Sequence, residues 1–364
     1  CDAGFFSKDR PEAPIPKSFA TPSLLAYIAT SKFVDGLPLY RQERIFDRVG
    51  IELGRTTMAR WMIKMGDLVQ PLIQLLHEDL LASRVVHIDE TVIQVLKEAD
   101  RPAESKSYMW CMARQGDKPI VFYRYYASRA KSSALDLLVD FSGTLVSDGY
   151  NVYDRIGSLY IILATCMAHV RRKFWKAEKV AKKEAKKDTK VLASQALSFI
   201  RKLYAIEESI KDQPPDRRLE VRQEKSVPIL AEFQSWLLKI QTVILPSSPT
   251  GKAVSYALGQ WHKLCRFAQD GNVPIDNNFM ESHIRPFVIG RNNWMFADTT
   301  LGAEASANLY TLVETAKANS IDPHDYLTLI FKELPLRTTA EELEKLLPYN
   351  AKKYFPLKAY QAQK

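Results

Sequence analysis

Three acidic residues stand in settings that could assemble a metal-binding site. Asp89 and Asp148 each end a short apolar run with strand character, whereas Glu281 follows Asp276–Asn278, where a helix is expected. A fold that brings these elements to one edge would bring the three carboxylates together. Carboxylate oxygens are hard ligands, and Mg²⁺ binds one or two of them together with water and substrate phosphate. These residues could therefore support metal-dependent phosphoryl transfer on DNA.

Each carboxylate also has a purely structural interpretation. Asp89 could end a strand, Asp148 could form a turn, and Asp276 could cap a helix that holds Glu281 in its first turn. Taken singly, the structural interpretations are favoured. Taken together, the structural interpretations are not favoured, because all three residues would then coincide by chance with the right elements in the right order. Glu90 competes with Asp89, but successive strand residues face opposite sides, so only one of them can face a shared metal centre.

The composition indicates a globular protein with a polyanionic partner. The chain has 364 residues, of which 46% are hydrophobic, and this length is enough for two or three domains. Its net charge of +9 favours nucleic acid. No long apolar run or signal peptide is evident, and the cysteines (Cys1, Cys111, Cys166 and Cys265) are scattered, as in proteins of a reducing compartment. We therefore expect a cytoplasmic, nucleoid-associated protein with no membrane partner.

A cationic segment lies between Arg171 and Lys190, with ten Lys/Arg residues against three acidic ones. Its basic residues recur at i+3 and i+4 steps, which predicts one cationic helix face formed by Arg172, Lys176, Lys179, Lys183, Lys186 and Lys190. Such a face could be an ordinary solvated surface. Because it directly follows a candidate active-site segment, contact with the DNA backbone is the favoured interpretation.

Residues 22–83 have a helical pattern that fits a DNA-binding region. Two predicted helices are followed by a turn at Gly50 and by a third helix, for which Thr56 is the predicted N-cap. This order is that of a helix-turn-helix, whose second helix would enter the major groove with Arg55 and Arg60 as contributors. A generic helical bundle fits the pattern equally well.

The sequence pattern changes from helical to mixed α/β after residue 84. Runs of β-branched and aromatic residues predict strands, and two segments between them predict helices. The predicted strands are Val85–Asp89, Val92–Leu96, Ser107–Ala113, Ile120–Tyr126, Thr144–Ser147 and Tyr160–Ala164, and the helices are Ala130–Phe141 and Asn151–Arg155. This order is that of a ribonuclease-H-like α/β core, in which catalytic carboxylates lie on the first strand, on the strand after the first helix and on a later helix. Residues 176–271 are predicted to be a helical insertion into this core.

The C-terminal third is predicted to be helical. Helices are expected near Ala303–Ala318 and Pro323–Glu333, the second with Asp322 as its N-cap. Thr338 and Glu341 predict a capping box for one more short helix.

Six sequence blocks follow one another along the chain. They are Pro38–Glu43, His87–Thr91, Val146–Tyr150, Cys166–Arg172, Ile275–Pro286 and Gly290–Trp294. Together and in this order they resemble the DDE transposases of the IS66 insertion-sequence group, and the resemblance covers nearly the whole chain. It implies an Asp-Asp-Glu catalytic triad in a ribonuclease-H-like domain, at the matching positions Asp89, Asp148 and Glu281.

The resemblance carries further expectations. Relatives have an upstream coiled-coil or DNA-binding segment and a Cys-rich zinc motif, of which Cys1 would be the last remnant, so no zinc site is expected in this chain. Many relatives have Arg directly after the glutamate, where this chain has Ser282. Cys166 and His169 match a Cys-x-x-His pattern found after the second aspartate in many DDE transposases, and we expect a structural or active-site-edge role for them.

The implied activity is DNA transposition, with cleavage at element ends and joining of the freed 3′ hydroxyls to target DNA. Two Mg²⁺ ions about 3.5–4 Å apart, for which Mn²⁺ could substitute, would be held by the triad, with Asp89 bridging both. Backbone phosphates would be positioned by Arg171, Arg172, Lys173, Arg285 and Arg291. Trp294 could stack on an unpaired base or belong to the core, with neither interpretation favoured.

The predicted organisation has four parts. An extended remnant (1–21) precedes the helix-turn-helix-like region (22–83), the catalytic domain (84–320) and a C-terminal helical segment (321–364). DNA is the expected partner, with a homo-oligomer forming on it and with accessory proteins of the same element. Two rival functions stay open, namely a structure-selective nuclease on the same fold and a non-catalytic DNA-binding regulator derived from a transposase.

Overall fold

The computed structural model describes residues 13–157, 160–183 and 187–360, with backbone only at 183 and 187–190. In this part the strands are short apart from the first. They are β1 (Val85–Lys97), β2 (Lys106–Arg114), β3 (Ile120–Tyr126), β4 (Gly143–Ser147), β5 (Ile161–Thr165) and β6 (Ala297–Thr299).

Helices make up most of the rest of the described chain. The first eight are α1 (Pro22–Phe33), α2 (Leu39–Arg48), α3 (Arg55–Leu68), α4 (Gln70–Leu81), α5 (Lys131–Leu137), α6 (Asn151–Asp154), α7 (Met167–Lys183) and α8 (Lys187–Ser209). The remaining ones are α9 (Pro215–Val221), α10 (Val227–Gln241), α11 (Pro249–Gly259), α12 (Trp261–Leu264), α13 (Asn278–Trp294), α14 (Thr300–Ala318), α15 (Pro323–Glu333), α16 (Ala340–Glu344) and α17 (Pro348–Tyr354). A π-helical segment (Arg222–Ser226) joins α9 to α10. The fold is thus mixed α/β and mostly helical, with an open sheet that contains parallel and antiparallel pairs. No helix in the described part is long and apolar enough to cross a membrane.

Most predicted strands and helices between 84 and 165 are confirmed, with one correction. Val85–Asp89 and Val92–Leu96 were predicted as separate strands, but both lie in the single strand β1. Glu90 and Thr91 separate the two runs and include neither Gly nor Pro, so nothing there forces a turn. Asp89 therefore lies inside a long strand rather than at the end of a short one.

The chain divides into two compact units that do not follow chain order. The first unit holds the described residues up to Leu80, Glu90–Arg129 and the chain from His283 onward. The second holds Leu81–Asp89 and Ala130–Ser282. Strand β1 and helix α13 therefore each contribute residues to both units.

In the first unit, α14 covers the edge of strand β3. β2 and β3 pair antiparallel, and β6 pairs parallel with the end of β1. The hydroxyl of Thr315 accepts the Val121 N–H at 3.1 Å and donates to the Val121 carbonyl at 2.9 Å. Thr311 accepts the Tyr123 N–H at 2.9 Å. The two threonines make hydrogen bonds to β3 that a neighbouring strand would otherwise make. The backbone groups that they bond are therefore not free to pair with another chain and aggregate.

The N-terminal helices form as predicted, but the cap of α3 differs. Gly50 has φ +77°, which fits the predicted turn. Thr56 was predicted to be the N-cap, but α3 begins at Arg55 with Gly54 as its N-cap. The Arg55 N–H donates to Glu43 Oε1 at 2.8 Å, so a carboxylate from α2 satisfies the helix end that Thr56 was expected to cap.

Further along the chain, one predicted cap is confirmed and one is shifted. Asp322 accepts the Asp325 N–H and caps α15 as predicted. The capping box of α16 uses Thr339 and Glu342 instead of Thr338 and Glu341. The pattern S/T-x-x-E occurs in both registers, and the helix begins at the second one.

In the second unit, parallel strands β1, β4 and β5 lie beside a helical core. β4 pairs with β1 and with β5, both in parallel. Buried residues of α7, α8, α10 and α11 pack into one cluster, which includes Phe174, Leu203, Phe233 and Val254. The predicted insertion is therefore helical, and it shares its core with Val146 of β4 and Ala164 of β5.

The structure describes only part of the predicted cationic helix face. Helix α7 is described from Met167 to Lys183 and α8 from Lys187 to Ser209, and residues 184–186 lie outside the described residues. Lys183, Lys186 and Lys190 lie outside the residues whose side chains are described. The described part of the predicted face is formed by Arg172, Lys176 and Lys179, all exposed.

Gly66 generates a stability prediction for the first unit. A Cβ at this buried position of α3 would lie 2.6 Å from both Cα and Cβ of Ala305 on α14. Alanine would gain up to about 1 kcal/mol in helix propensity, but overpacking costs about 1–3 kcal/mol. We expect Gly66→Ala to lower the free energy of unfolding in urea.

The matched control is Gly302→Ala, in the first turn of α14. Its nearest non-neighbouring atom, Thr299 Oγ1, would lie 3.5 Å from the new Cβ, which is ordinary contact. Gly302→Ala should leave stability unchanged or raise it slightly. Equal effects of the two substitutions would contradict the close approach of α3 to α14.

Candidate active site

The candidate site lies at the carboxyl edge of the three parallel strands in the second unit. His87 of β1 is in register with Val146 of β4. This pair lies two residues before Asp89 on β1 and two residues before Asp148, which directly follows β4. On the other side of β4, the Cys166 N–H donates to the Ser147 carbonyl at 3.1 Å. Asp148 and Cys166 thus directly follow the adjacent strands β4 and β5, at the kind of sheet edge where open α/β sheets commonly bind ligands.

A buried asparagine joins this edge to the start of α13. Asn277 is only 1% exposed. Its Oδ1 lies 2.6 Å from His87 Nδ1, and its Nδ2 donates to the Ile88 carbonyl at 3.2 Å. Its backbone N–H donates to Cys166 Sγ at 3.1 Å. One residue therefore contacts both β1 and the residue that follows β5.

Asp276 and Glu281 have different roles at the start of α13. Asp276 Oδ1 accepts the Asn278 N–H at 3.0 Å, and Oδ2 accepts the Tyr204 hydroxyl at 2.7 Å. Asp276 thus caps the helix and is held there by α8. The Glu281 N–H donates to the Asn277 carbonyl at 3.0 Å, so Glu281 lies in the first turn with its side chain available for other contacts.

Two side chains of α7 face the carboxylate of Glu281. Arg172 Nη2 lies 2.9 Å from Oε2, and His169 Nδ1 lies 3.7 Å from Oε1. Oε1 and Nδ1 are both buried and have no hydrogen-bond partner among the described residues. Burial lowers the pKa of His169 despite the opposing effect of the Glu281 charge, which favours a neutral imidazole. The arrangement leaves one carboxylate oxygen in need of a proton or a cation.

Tyr256 packs against the turn that carries Asp148. Asp148 Oδ1 accepts the Tyr150 N–H at 2.9 Å, which is turn chemistry as in the structural interpretation. A Cβ on Gly149 would lie 2.4 Å from the Tyr256 hydroxyl, so only glycine fits this approach. Burial, together with the nearby Asp148 charge, raises the pKa of Tyr256 to about 12. Lys173 Nζ lies 4.3 Å from the centroid of the same tyrosine ring.

Cys166 and His169 lie beside the candidate glutamate. Burial raises the pKa of the fully buried Cys166 thiol to about 12, so the group is a thiol at neutral pH. One potential ligand atom from each of Cys166, His169 and Glu281 lies within 4.8 Å of the others. The pair is thus at the edge of the candidate site, with the thiol packed inward and the imidazole facing Glu281.

The predicted DNA-contacting residues are distributed over both units. Arg171, Arg172 and Lys173 are exposed on α7, beside the candidate site. Arg285 is exposed on α13. Arg55 and Arg60 are exposed on α3.

Arg291 and Trp294 make contacts within the first unit. Arg291 Nη1 donates to Thr91 Oγ1 at 3.2 Å and to the Val92 carbonyl. Trp294 packs edge-to-face on Phe287 at 5.4 Å, with Lys32 Nζ 5.0 Å from its ring centroid. Arg291 therefore holds strand β1, and Trp294 is partly packed rather than open.

Sequence reasoning did not identify the residues that position the carboxylates. Asn277 and Tyr204 were not singled out, and neither were His87 and Tyr256. One signal was available in the sequence. His87 is a polar residue in an apolar run and Asn277 precedes a helix, and buried polar groups such as these need partners.

Comparison with known proteins identifies the family. The chain matches the transposase IS66 family over residues 17–305 and the IS66 C-terminal element over residues 311–349. It belongs to the IS66 transposase family, as the resemblance indicated.

Curated relatives from Sinorhizobium fredii (strain NBRC 101917 / NGR234) are longer than this chain. The uncharacterized protein y4qI is 35% identical over 93% of this chain and 64% of its own length. The uncharacterized protein y4jD is 31% identical over 97% of the chain and 70% of its own length. The uncharacterized protein y4hP is 31% identical over 93% of the chain and 63% of its own length. The chain thus spans about two thirds of these relatives.

The buried amide of Asn277 generates a stability prediction. Asn277→Ala would leave His87 Nδ1 without this partner and remove the bond to the Ile88 carbonyl inside the protein. An unsatisfied buried polar group costs about 1–3 kcal/mol, so we expect at least that loss in the free energy of unfolding. Denaturation in urea measures it.

Asn278→Ala is the matched control. The neighbouring side chain is exposed and bonds only Asp276 Oδ2 among the described contacts, at 2.7 Å. Its removal should change stability by no more than about 0.5 kcal/mol. If Asn277→Ala were equally mild, Asn277 would not be the junction between the strands and α13.

Proposed function

We propose that this protein is a DNA transposase that cleaves insertion-sequence ends and joins the freed 3′ hydroxyls to target DNA. The observation that carries the proposal is the contact of Asn277 with the Ile88 carbonyl, which joins the strand of Asp89 to the start of the helix that holds Glu281. Membership of the IS66 transposase family supports it. The order β1, β2, β3, α5, β4, α6, β5, with β1, β4 and β5 parallel, supports a ribonuclease-H-like core for the catalytic domain.

The residues at the edge fit a hard divalent cation. Asp89, Asp148 and Glu281 supply carboxylate oxygens, and Glu281 Oε1 is buried without a hydrogen-bond partner among the described residues. Cys166 is less suited to such an ion, because its buried thiol has a raised pKa and accepts the Asn277 N–H. We propose that the three carboxylates hold Mg²⁺, or Mn²⁺ in its place. When bound, the metal would neutralise phosphate charge and activate the attacking oxygen.

The protein's own residues would bind and orient the DNA. Arg172 contacts Glu281 Oε2 at 2.9 Å and is 46% exposed, so a DNA phosphate could recruit its guanidinium. Arg171 and Lys173 are exposed on the same helix and would hold the DNA backbone. Exposed Arg55 and Arg60 on α3 are proposed to read sequence in a groove, and Arg285 to contact phosphate. A homo-oligomer on DNA is proposed as the active form.

The first test replaces each acid by its amide. Asp89→Asn, Asp148→Asn and Glu281→Gln keep the shape of the side chain but remove the charge that would hold the metal. We expect each to abolish Mg²⁺-dependent cleavage and joining of element-end DNA while leaving DNA binding largely intact. Near-normal activity from any one variant would remove that residue from the triad.

Matched controls make the same chemical change elsewhere. Asp298→Asn and Glu208→Gln alter exposed acids that pair with Lys97 and Lys211. Both variants should keep full activity. Cleavage without joining by the unaltered chain would favour a nuclease, and DNA binding without either reaction would favour a regulator.

The exposed lysines of α7 generate a second prediction. Lys176→Gln combined with Lys179→Gln should flatten the slope of log affinity against log salt by roughly 2 units, because each phosphate contact contributes about 0.9. Sequence preference should not change. The control is Lys211→Gln combined with Lys239→Gln, an equal charge change at two exposed sites, one in the turn after α8 and one on α10. An unchanged slope would mean that Lys176 and Lys179 are only solvated.

A further inference from the structure

Trp175 is an exposed aromatic residue on the cationic face of α7. It is 45% exposed, and it follows Arg172 by three residues and precedes Lys179 by four. Residues at these spacings lie on one face of a helix, with Cβ atoms about 5–6 Å apart. Lys179 Nζ lies 3.7 Å from the Trp175 ring centroid. An indole and two cations therefore share one short stretch of surface.

Folding of the second unit does not bury this indole. The inward face of α7 is formed by Val170, Phe174, Ala177 and Ala181, all buried. Trp175 lies outside this inward face, so its large apolar ring stays partly exposed to solvent. A tryptophan exposed among cations is suited to a ligand with both an apolar face and negative charge, which a nucleotide offers.

The position of Trp175 relates it to the candidate site in the same unit. Helix α7 starts at the sheet edge, where the Met167 N–H donates to the Ile275 carbonyl at 3.0 Å. Arg172, one turn before Trp175, contacts Glu281 Oε2 at 2.9 Å. The indole is therefore about one helical turn beyond the arginine that contacts the candidate catalytic glutamate.

We propose that Trp175 is a stacking site for an unpaired DNA base beside the cleavage site, with Lys179 and Arg172 holding the flanking phosphates. This inference rests on the proposed function. In a duplex each base is already stacked on its neighbours, so only a base that has left the helix can stack on the indole. The ligand is a single-stranded or frayed segment at the DNA end, and the cations around the ring favour it over an apolar protein surface.

The test uses the full chain with two DNA probes and with chelator present, so that cleavage is not required. One probe is a duplex with a short single-stranded extension that contains 2-aminopurine, and the other is the same duplex without the extension. Stacking on the indole should quench 2-aminopurine emission. Trp175→Ala should remove this quenching and weaken binding of the extended probe about fivefold or more, because base–aromatic stacking is substantial. Affinity for the plain duplex should change little.

Two further variants make the result specific. Trp175→Phe keeps an aromatic face and should retain most of the affinity for the extended probe. Val180→Ala removes another exposed apolar side chain of α7 and should behave like the unaltered chain. Unchanged quenching in Trp175→Ala, or equal weakening for both probes, would overturn the stacking site while leaving DNA binding intact. Failure of the unaltered chain to bind either probe would overturn the proposed function itself.

Discussion

The buried amide of Asn277 is the interaction on which the candidate site depends. Its side chain contacts His87 and the carbonyl of Ile88, and its N–H reaches Cys166. In a water-excluded interior each of these polar groups is costly to leave unpaired, so the geometry that satisfies all of them is strongly preferred. The start of α13, with Glu281 one turn later, is thereby fixed against the strand that carries Asp89.

The helical insertion also contacts the segment that leads into Asn277. Arg222 is 1% exposed and pairs with Glu207 at 2.5 Å. Its guanidinium also donates to the carbonyls of Phe267, Asp270 and Val273. These carbonyls belong to the segment that leads into Asn277, and Tyr204 of α8 then holds Asp276. Breaking a buried ion pair of this kind costs about 3–5 kcal/mol, so these contacts stabilise the approach to α13.

Acidic and basic side chains lie side by side in the candidate site. Glu281 lies in the first turn of α13, and Arg171, Arg172 and Lys173 lie on the first two turns of α7. Desolvation favours neutral His169, so this residue does not supply a fixed positive charge to Glu281. Under the proposed function, a metal ion bound by the acids would leave Arg172 available to phosphate.

The local sequence determined much of the framework. Strands β2 to β5 and helices α1, α2, α14 and α15 follow from β-branched runs and amphipathic periods, and Asp322 caps α15 as its pattern indicated. The settings of the three acidic residues, together with the ordered blocks around them, were enough to predict the family. These signals are local, so each can be recognised within a short window of sequence.

The tertiary structure alone decided what holds the site. Glu43, from another helix, took the place of the predicted Thr56 cap. Asn277 and His87 are 190 residues apart, so no local pattern could pair them. The catalytic candidates could be predicted from the sequence because their chemistry depends on residue type. Their positioning could not, because it depends on buried hydrogen bonds that form only when distant segments pack together.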